Sequence, residues 1–279
     1  MGTDQIESFG SSTIQHGSVN DRVYLMKLNQ RDFPQILSYI NSLAISHNYS
    51  KVFAKVPEFG RNFFEQEGYR VEASIPNFYR GEEDVFFMAR YFHPDRLIDH
   101  NADQVQQVLE AAHAKASNDH HVSLPDGCDC RIASSADCEQ MALLYQQVFA
   151  SYPFPIHDPD YLVKTMVENV IYAGIWKDNQ LLALASAEID FSGGNAELTD
   201  FATDPEWRGH GLAHTLLSHL ENEMRNSGHC TCYTIARATS FGMNICFAQH
   251  DYQSTGTLVK NTQISGGLES MNVWYKHVC

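Results

Sequence analysis

The segment Arg208-Gly209-His210-Gly211-Leu212-Ala213 has the residue types and the position of an anion cradle. It follows a strand-like run, Glu197 to Thr203, and opens a helix whose Leu212, Leu216, Leu217, Leu220 and Met224 fall on one apolar face, stopping at Gly228. Glycines let backbone approach an anion closely, and the first N–H groups of a helix lack internal partners and lie at the positive end of its dipole. A pyrophosphate satisfies both. No Gly-Lys-Ser/Thr follows, which excludes a P-loop, and the third glycine of a dinucleotide fingerprint is missing. His120, His121, Cys128 and Cys130 lack the paired C-x-x-C or H-x-x-x-H spacing of a metal site, so no metal is expected. Cys230 and Cys232, alternating along a strand, and Cys246, in a helix, read as core residues with reduced thiols.

The elements that must hold this loop alternate between strand and helix. Ile36, Leu37, Ile40, Leu43 and Ala44 recur at helical spacing after Pro34. A strand over 51–56, a helix over 60–66 and two strands over 71–75 and 85–91 follow. A polar helix within 95–118, ending in Asn118-Asp119-His120-His121, reads as a connection. From Cys130 the order is strand, helix (136–150), helix (159–168), two strands (171–176 and 181–189) turned at Asp178-Asn179, the strand before the cradle, the helix after it, and a buried strand over 231–236. The expectation is two α/β units, 1–118 with the connecting helix and 119–279, the second built on a mixed sheet. Phe64-Glu65-Gln66-Glu67-Gly68-Tyr69 and Phe247-Ala248-Gln249-His250-Asp251-Tyr252 echo one another, and each precedes a paired-strand pattern. A degenerate half-copy of the second unit and chance similarity both account for that.

Of 279 residues, 43% are hydrophobic and 19% charged, an ordinary globular balance. The net charge of −15 repels polyanions, so neither nucleic acid nor an anionic membrane is expected as partner; a cationic substrate fits better, although acidity also serves solubility alone. With neither a signal-like start nor a run of about 20 apolar residues, a cytoplasmic location is expected.

The pattern Arg-x-x-Gly-x-Ala at Arg208, Gly211 and Ala213, after Thr203-Asp204-Pro205-Glu206-Trp207, resembles the acetyl-CoA motif of the GNAT superfamily of N-acetyltransferases. The resemblance covers about residues 130–278. It implies the acyl-CoA N-acyltransferase fold, with the backbone of Arg208, Gly209, His210, Gly211, Leu212 and Ala213 on the CoA pyrophosphate. Phe201, Ala202 and Thr203 would pair with the pantetheine, Asn244 would contact it, and Glu197 would be the general base. Amide formation needs a neutral amine and a proton for the departing thiolate. In the family the acid is often a tyrosine at a place held here by Phe247, beside the cofactor. That leaves Tyr233, Tyr275, water, or no dedicated acid.

Further segments extend the likeness over nearly the whole chain: 64–69, Ile75-Pro76-Asn77-Phe78-Tyr79, Phe87-Met88-Ala89-Arg90-Tyr91 and the C-terminal run 269–276. Together they resemble the β-lysine N6-acetyltransferase family of bacteria and methanogens. That resemblance implies acetyl transfer from acetyl-CoA to the ε-amine of β-lysine, giving a compatible solute with no net charge. Asp158, Glu188 and Asp190 are candidates for the remaining amine, and Arg80 or Arg237 for the carboxylate. Solvated surface is the alternative for each. A GNAT enzyme for another small diamine or a protein lysine, and a non-catalytic acyl-CoA sensor, stay open, as does a homodimer.

Overall fold

The computed structural model describes residues 4–116, 123–264 and 266–279. The expected boundary at 118/119, with His120 and His121, lies outside the described residues. The first unit runs β1 (Gln5–Phe9), β2 (Ser12–Gly17), β3 (Arg22–Lys27), α1 (Gln35–Ser46), β4 (Lys51–Pro57), α2 (Arg61–Gln66), β5 (Arg70–Tyr79) and β6 (Glu83–Tyr91). After α3 (Ala102–His113), the second runs β7 (Cys128–Ile132), α4 (Cys138–Val148), α5 (Pro159–Glu168), β8 (Val170–Lys177), β9 (Gln180–Asp190), β10 (Asn195–Thr203), α6 (Leu212–Asn226), β11 (Thr231–Arg237), α7 (Phe241–Gln249), β12 (Gln253–Ile264) and β13 (Gly267–His277).

The two sheets repeat one topology. Their orders are β1-β2-β3-β4-β6-β5 and β12-β13-β11-β10-β9-β8-β7. In each, one parallel pair joined through a helix, β3/β4 or β10/β11, is flanked by antiparallel pairs. The first sheet lacks counterparts of β7, α4 and α5. The echo heard in the sequence is one feature of this repeat: Tyr69 N donates to Phe64 O at 3.0 Å and Tyr252 N to Phe247 O at 3.1 Å. Gly68 and Asp251 both turn the chain at positive φ, and the Phe–Tyr rings stand edge to face at 4.9 and 5.3 Å. The first unit is degenerate at the cradle, since the link from β3 to α1 carries Pro34, which has no N–H, and no glycine.

Helices cover one face of each sheet, and the other faces meet over part of their area. Leu212, Leu216, Leu217 and Leu220 of α6 pack on Ala183, Ala185, Ala196 and Leu198. Helix α3 belongs to this side as well, with Ala112 in the same core and His113 Nε2 2.8 Å from Ser254 Oγ. Across the second sheet, α4 and α5 cover the β8–β9 end through Tyr145, Leu162 and Tyr172. The first sheet covers the β11–β13 end, and Phe53, Phe78 and Phe87 form one core with Tyr233, Leu258, Met271 and Val273. The junction is close: a Cβ at Gly256 would lie 2.0 Å from Glu72 O. Lys51, fully buried, spans it with Nζ 2.9 Å from Glu72 Oε2 and 2.8 Å from Val259 O. Arg96 donates to Lys260 O at 2.8 Å, and Gln263 N to Asn20 Oδ1 at 2.7 Å.

The expectation of reduced thiols is corrected at one pair. Because β13 runs beside β11, with Val278 N donating to Cys230 O at 2.8 Å, Cys279 is brought back to Cys230 and the two form a disulfide of 2.08 Å. Cys128, Cys130, Cys138, Cys232 and Cys246 are free. Among the described residues no helix is long and apolar enough to cross a membrane.

Candidate active site

Parallel strands β10 and β11 pair only from Asn195–Glu197 to Thr231–Tyr233, and then part. The cause is local to β10. Its register against β9 breaks between Thr199 and Ala202, and Asp200 sits at φ +55°, a bulge that bends the strand away. Beyond the gap, Gly209 and Gly211 hold φ of +80° and +75°, a conformation that costs a residue with a Cβ about 1–2 kcal/mol. Gly211 is the N-cap of α6 and supplies no side-chain cap, so first-turn amides of α6 face outward beside exposed Arg208 and His210. Leu212 is buried and Ala213 partly so, anchoring the helix under the loop. Phe201, Ala202 and Thr203 form the parted edge of β10, with Phe201 edge-on to Phe247 at 5.6 Å. The geometry fits a phosphate at the loop and an extended chain along the gap.

On the opposite face of β10 is a cavity of about 850 Å³, walled by both sheets and by the approach to α5. Glu197 and Thr199 line it from β10, Ser186, Glu188 and Asp190 from β9, Tyr233 from β11, and Tyr152 and Tyr161 from the helical side. The first sheet contributes Tyr24, Lys27, Phe53, Lys55, Tyr79 and Arg80. Glu188 and Glu197 stand directly opposite in the β9/β10 register. Both line the cavity, where the surrounding protein displaces part of their hydration although Glu188 keeps accessible surface. Burial foremost, then the Glu188 charge, raises the Glu197 carboxyl to about 7, against the pull of Lys55 and a hydrogen bond from Tyr233. Glu188 is raised too, chiefly by burial, with Lys55 opposing. A carboxylate of that pKa accepts a proton near neutral pH.

Tyr233 was one candidate acid. Its hydroxyl lies 3.2 Å from Lys55 Nζ and bonds Glu197, and burial with the Glu197 charge holds its pKa well above 10. The phenol is thus a hydrogen-bond donor that steadies Glu197. Asp200 is engaged as well, accepting from Ser186 Oγ at 2.7 Å and from the Tyr152 hydroxyl. Arg80, at φ +54°, fixes the cavity rim to the β9–β10 loop, with Nε 2.8 Å from Ser192 O and N 2.8 Å from Gly193 O. Asp190 pairs there with Lys27 at 3.2 Å.

Five of the residues singled out in the sequence are engaged within the protein. Asn244, fully buried, donates to Arg237 O at 3.0 Å and Ser240 O at 2.7 Å and accepts from Asn272 Nδ2 and Trp274 Nε1, both at 2.9 Å. Arg237 is held by both oxygens of Glu269, at 2.9 and 2.6 Å, and does not line the cavity. Asp158 caps α5, accepting from Asp160 N at 3.0 Å. Tyr275 donates to Gln253 Oε1 at 3.0 Å, outside the cavity. Phe247 is a core residue between Phe201 and Tyr252. Conversely, Lys55, Tyr24 and Lys27 escaped sequence reasoning, because nothing in the local pattern of β3 or β4 shows that they face another sheet, as did Tyr152, which lies in the link between α4 and α5.

A strand parted from its neighbour above a glycine-led helix, with a raised carboxyl across the sheet, is the arrangement of an N-acetyltransferase. The acetyltransferase (GNAT) family model matches residues 139–243. The chain is 37% identical to the β-lysine N6-acetyltransferase of Methanococcus maripaludis over 98% of each chain. It is 33% identical to N-acetyltransferase YodP of Bacillus subtilis, again over 98% of each. The β-lysine N6-acetyltransferase of Methanosarcina mazei is 31% identical over 87% of this chain and 96% of its own. The chain belongs to this family of acetyl-CoA-dependent GNAT N-acetyltransferases.

Proposed function

We infer that this enzyme acetylates the ε-amine of β-lysine, forming N6-acetyl-β-lysine. One observation carries the reading: the raised Glu197 carboxyl sits in a cavity closed by both sheets, in a chain matched along its whole length by relatives of that name. A substrate site made jointly by two units accounts for a likeness that extends far beyond the GNAT segment.

Acetyl-CoA supplies a thioester carbonyl, and the loop 208–213 with the parted edge 201–203 is where this chain holds it. Glu197 takes the proton from the ε-ammonium, so that the nitrogen lone pair is free to attack. Glu188 keeps the Glu197 pKa high enough to hold that proton, and Tyr233 and Lys55 keep it from rising out of range. Tyr233 holds its own proton tightly, and the proton gathered by Glu197 is a source for the leaving thiolate. Asp190 at the rim meets the β-amine, and Lys27 and Arg80 meet the carboxylate. The charges of the substrate, two ammonium groups and one carboxylate, thus find partners of opposite sign.

Measuring CoA release with β-lysine, α-lysine, spermidine and a lysine peptide tests this. The highest kcat/KM is expected for β-lysine. Preference for a polyamine or peptide would overturn the substrate, and acetyl-CoA binding without turnover of any amine would leave a sensor.

A further inference from the structure

On the face of the second sheet away from the cavity, three side chains that the acetyl-transfer site does not use converge: His214 in the first turn of α6, Cys246 on α7, and His250 one turn later at the C-cap of α7. We propose that His214, Cys246 and His250 form a binding site for a zinc-class divalent cation that clasps α6 to α7.

Two of the three donor–donor contacts are near the distances of ligands on one ion. His214 Nδ1 lies 3.6 Å from Cys246 Sγ and 3.1 Å from His250 Nε2, and all three atoms fall within 4.8 Å of one another. Tetrahedral zinc, with metal–nitrogen bonds of about 2.0 Å and metal–sulfur bonds of about 2.3 Å, places its ligand atoms roughly 3.3 to 3.5 Å apart. Cys246 and His250 at i and i+4 share one helix face, the spacing that lets one helix chelate. Two imidazoles and a thiolate suit zinc over magnesium or calcium, which take oxygen ligands. The fourth position is left for water or another donor.

A second observation comes from the residue behind His250. Glu221 Oε1 is buried without a hydrogen bond of good geometry among the described residues, with the Tyr252 hydroxyl beside the carboxylate, while its other oxygen accepts from Lys276 Nζ at 2.8 Å. His250 Nδ1 lies 3.8 Å from Oε1. A histidine that ligates through Nε2 must carry its proton on Nδ1, and a carboxylate behind it fixes that tautomer. Glu221 is placed for that role. Burial favours the protonated form of the Cys246 thiol. Metal binding forms the metal–sulfur bond and releases that proton to solvent. Because His214 follows the anion cradle by one residue and α7 carries the Asn244 hub, the ion would fix the cradle against the neighbouring helix.

The test uses the full chain, free of any histidine tag, purified without chelator. Metal analysis is expected to find one zinc per chain, and cobalt added to chelator-stripped protein is expected to give a thiolate-to-cobalt charge-transfer band with the intense visible bands of a tetrahedral site. Cys246→Ser should lose the charge-transfer band, His250→Gln should weaken cobalt binding, and His100→Gln, at an exposed position outside the cluster, should change neither. Zinc should restore the melting temperature lowered by the chelator. Should a variant fail to fold, the cobalt spectrum of the unaltered chain decides: absence of the charge-transfer band at saturating cobalt overturns the site, as does its persistence in folded Cys246→Ser.

Discussion

Replacing Glu188 with glutamine should move the acid limb of the kcat/KM profile to lower pH while leaving the enzyme active. The two carboxylates project from directly opposed positions of an antiparallel pair, where Cβ atoms lie about 5 Å apart. For carboxyl groups about 6 Å apart at an effective dielectric of about 20, the repulsion is ~2.8 kcal/mol, or ~2 pH units. Water in the cavity screens part of this, so a shift of about one unit is expected, from an apparent value near 7 in the unaltered enzyme. The limb belongs to the interacting pair, which is why its position, not the plateau rate, is the quantity to follow. Lys55→Met removes a charge of the opposite sign and should shift the limb to higher pH. General damage to the site cannot produce shifts of opposite sign. If both variants kept the limb of the unaltered enzyme, or moved it the same way, Glu197 would not be the titrating base.

Other consequences are more direct. Glu197→Gln should lower kcat by about 10² to 10⁴ with little change in the KM for acetyl-CoA. The same change should stabilise the fold at pH 8: a carboxyl raised from 4.5 to about 7 on folding costs stability progressively as pH rises from 4.5 to 7, by up to ~3 kcal/mol, less for cavity water. Melting at pH 8 and pH 4 should therefore show a gain only at the higher pH. Gly211→Val should raise the KM for acetyl-CoA sharply, since the side chain occupies the cradle, with a loss of only about 1–2 kcal/mol from the strained φ, measured by urea unfolding. Asn244→Ala should cost about 2 kcal/mol or more by leaving the buried Asn272 Nδ2 and Trp274 Nε1 donors unpaired, while the acetyl-CoA KM below the melting range stays the same.

The second unit was legible in the sequence almost element by element, because its helices carry clean apolar faces and its turns carry glycine or Asp178-Asn179. The cradle was legible for the same reason: positive φ at Gly209 and Gly211 demands glycine. Strands β1 to β3 were not, since runs such as Gln5–Phe9 and Ser12–Gly17 mix polar residues that find partners only in the folded chain, as Gln15 does with Arg22 at 3.3 Å. Asn244 shows a different limit. Motif position suggested a cofactor contact, and only the four hydrogen bonds around it reveal a structural hub. Lys55 is illegible in a third way, because it serves a cavity whose other wall lies more than 130 residues away in the chain. The cluster of His214, Cys246 and His250 did leave a signal, the C-x-x-x-H spacing of 246 and 250, obscured because its third member lies on another helix.

The central claim is that Glu197 deprotonates the amine at the far end of a substrate whose other charges are held at the cavity rim. Nuclear magnetic resonance of the product formed from β-lysine and acetyl-CoA labelled in the acetyl group tests it most directly. Coupling of the label to the C6 methylene side alone, giving N6-acetyl-β-lysine and no other species, is the predicted result. Acetylation at the C3 amine, or a mixture of the two, would contradict the placement of the substrate and with it the assigned role of the cavity.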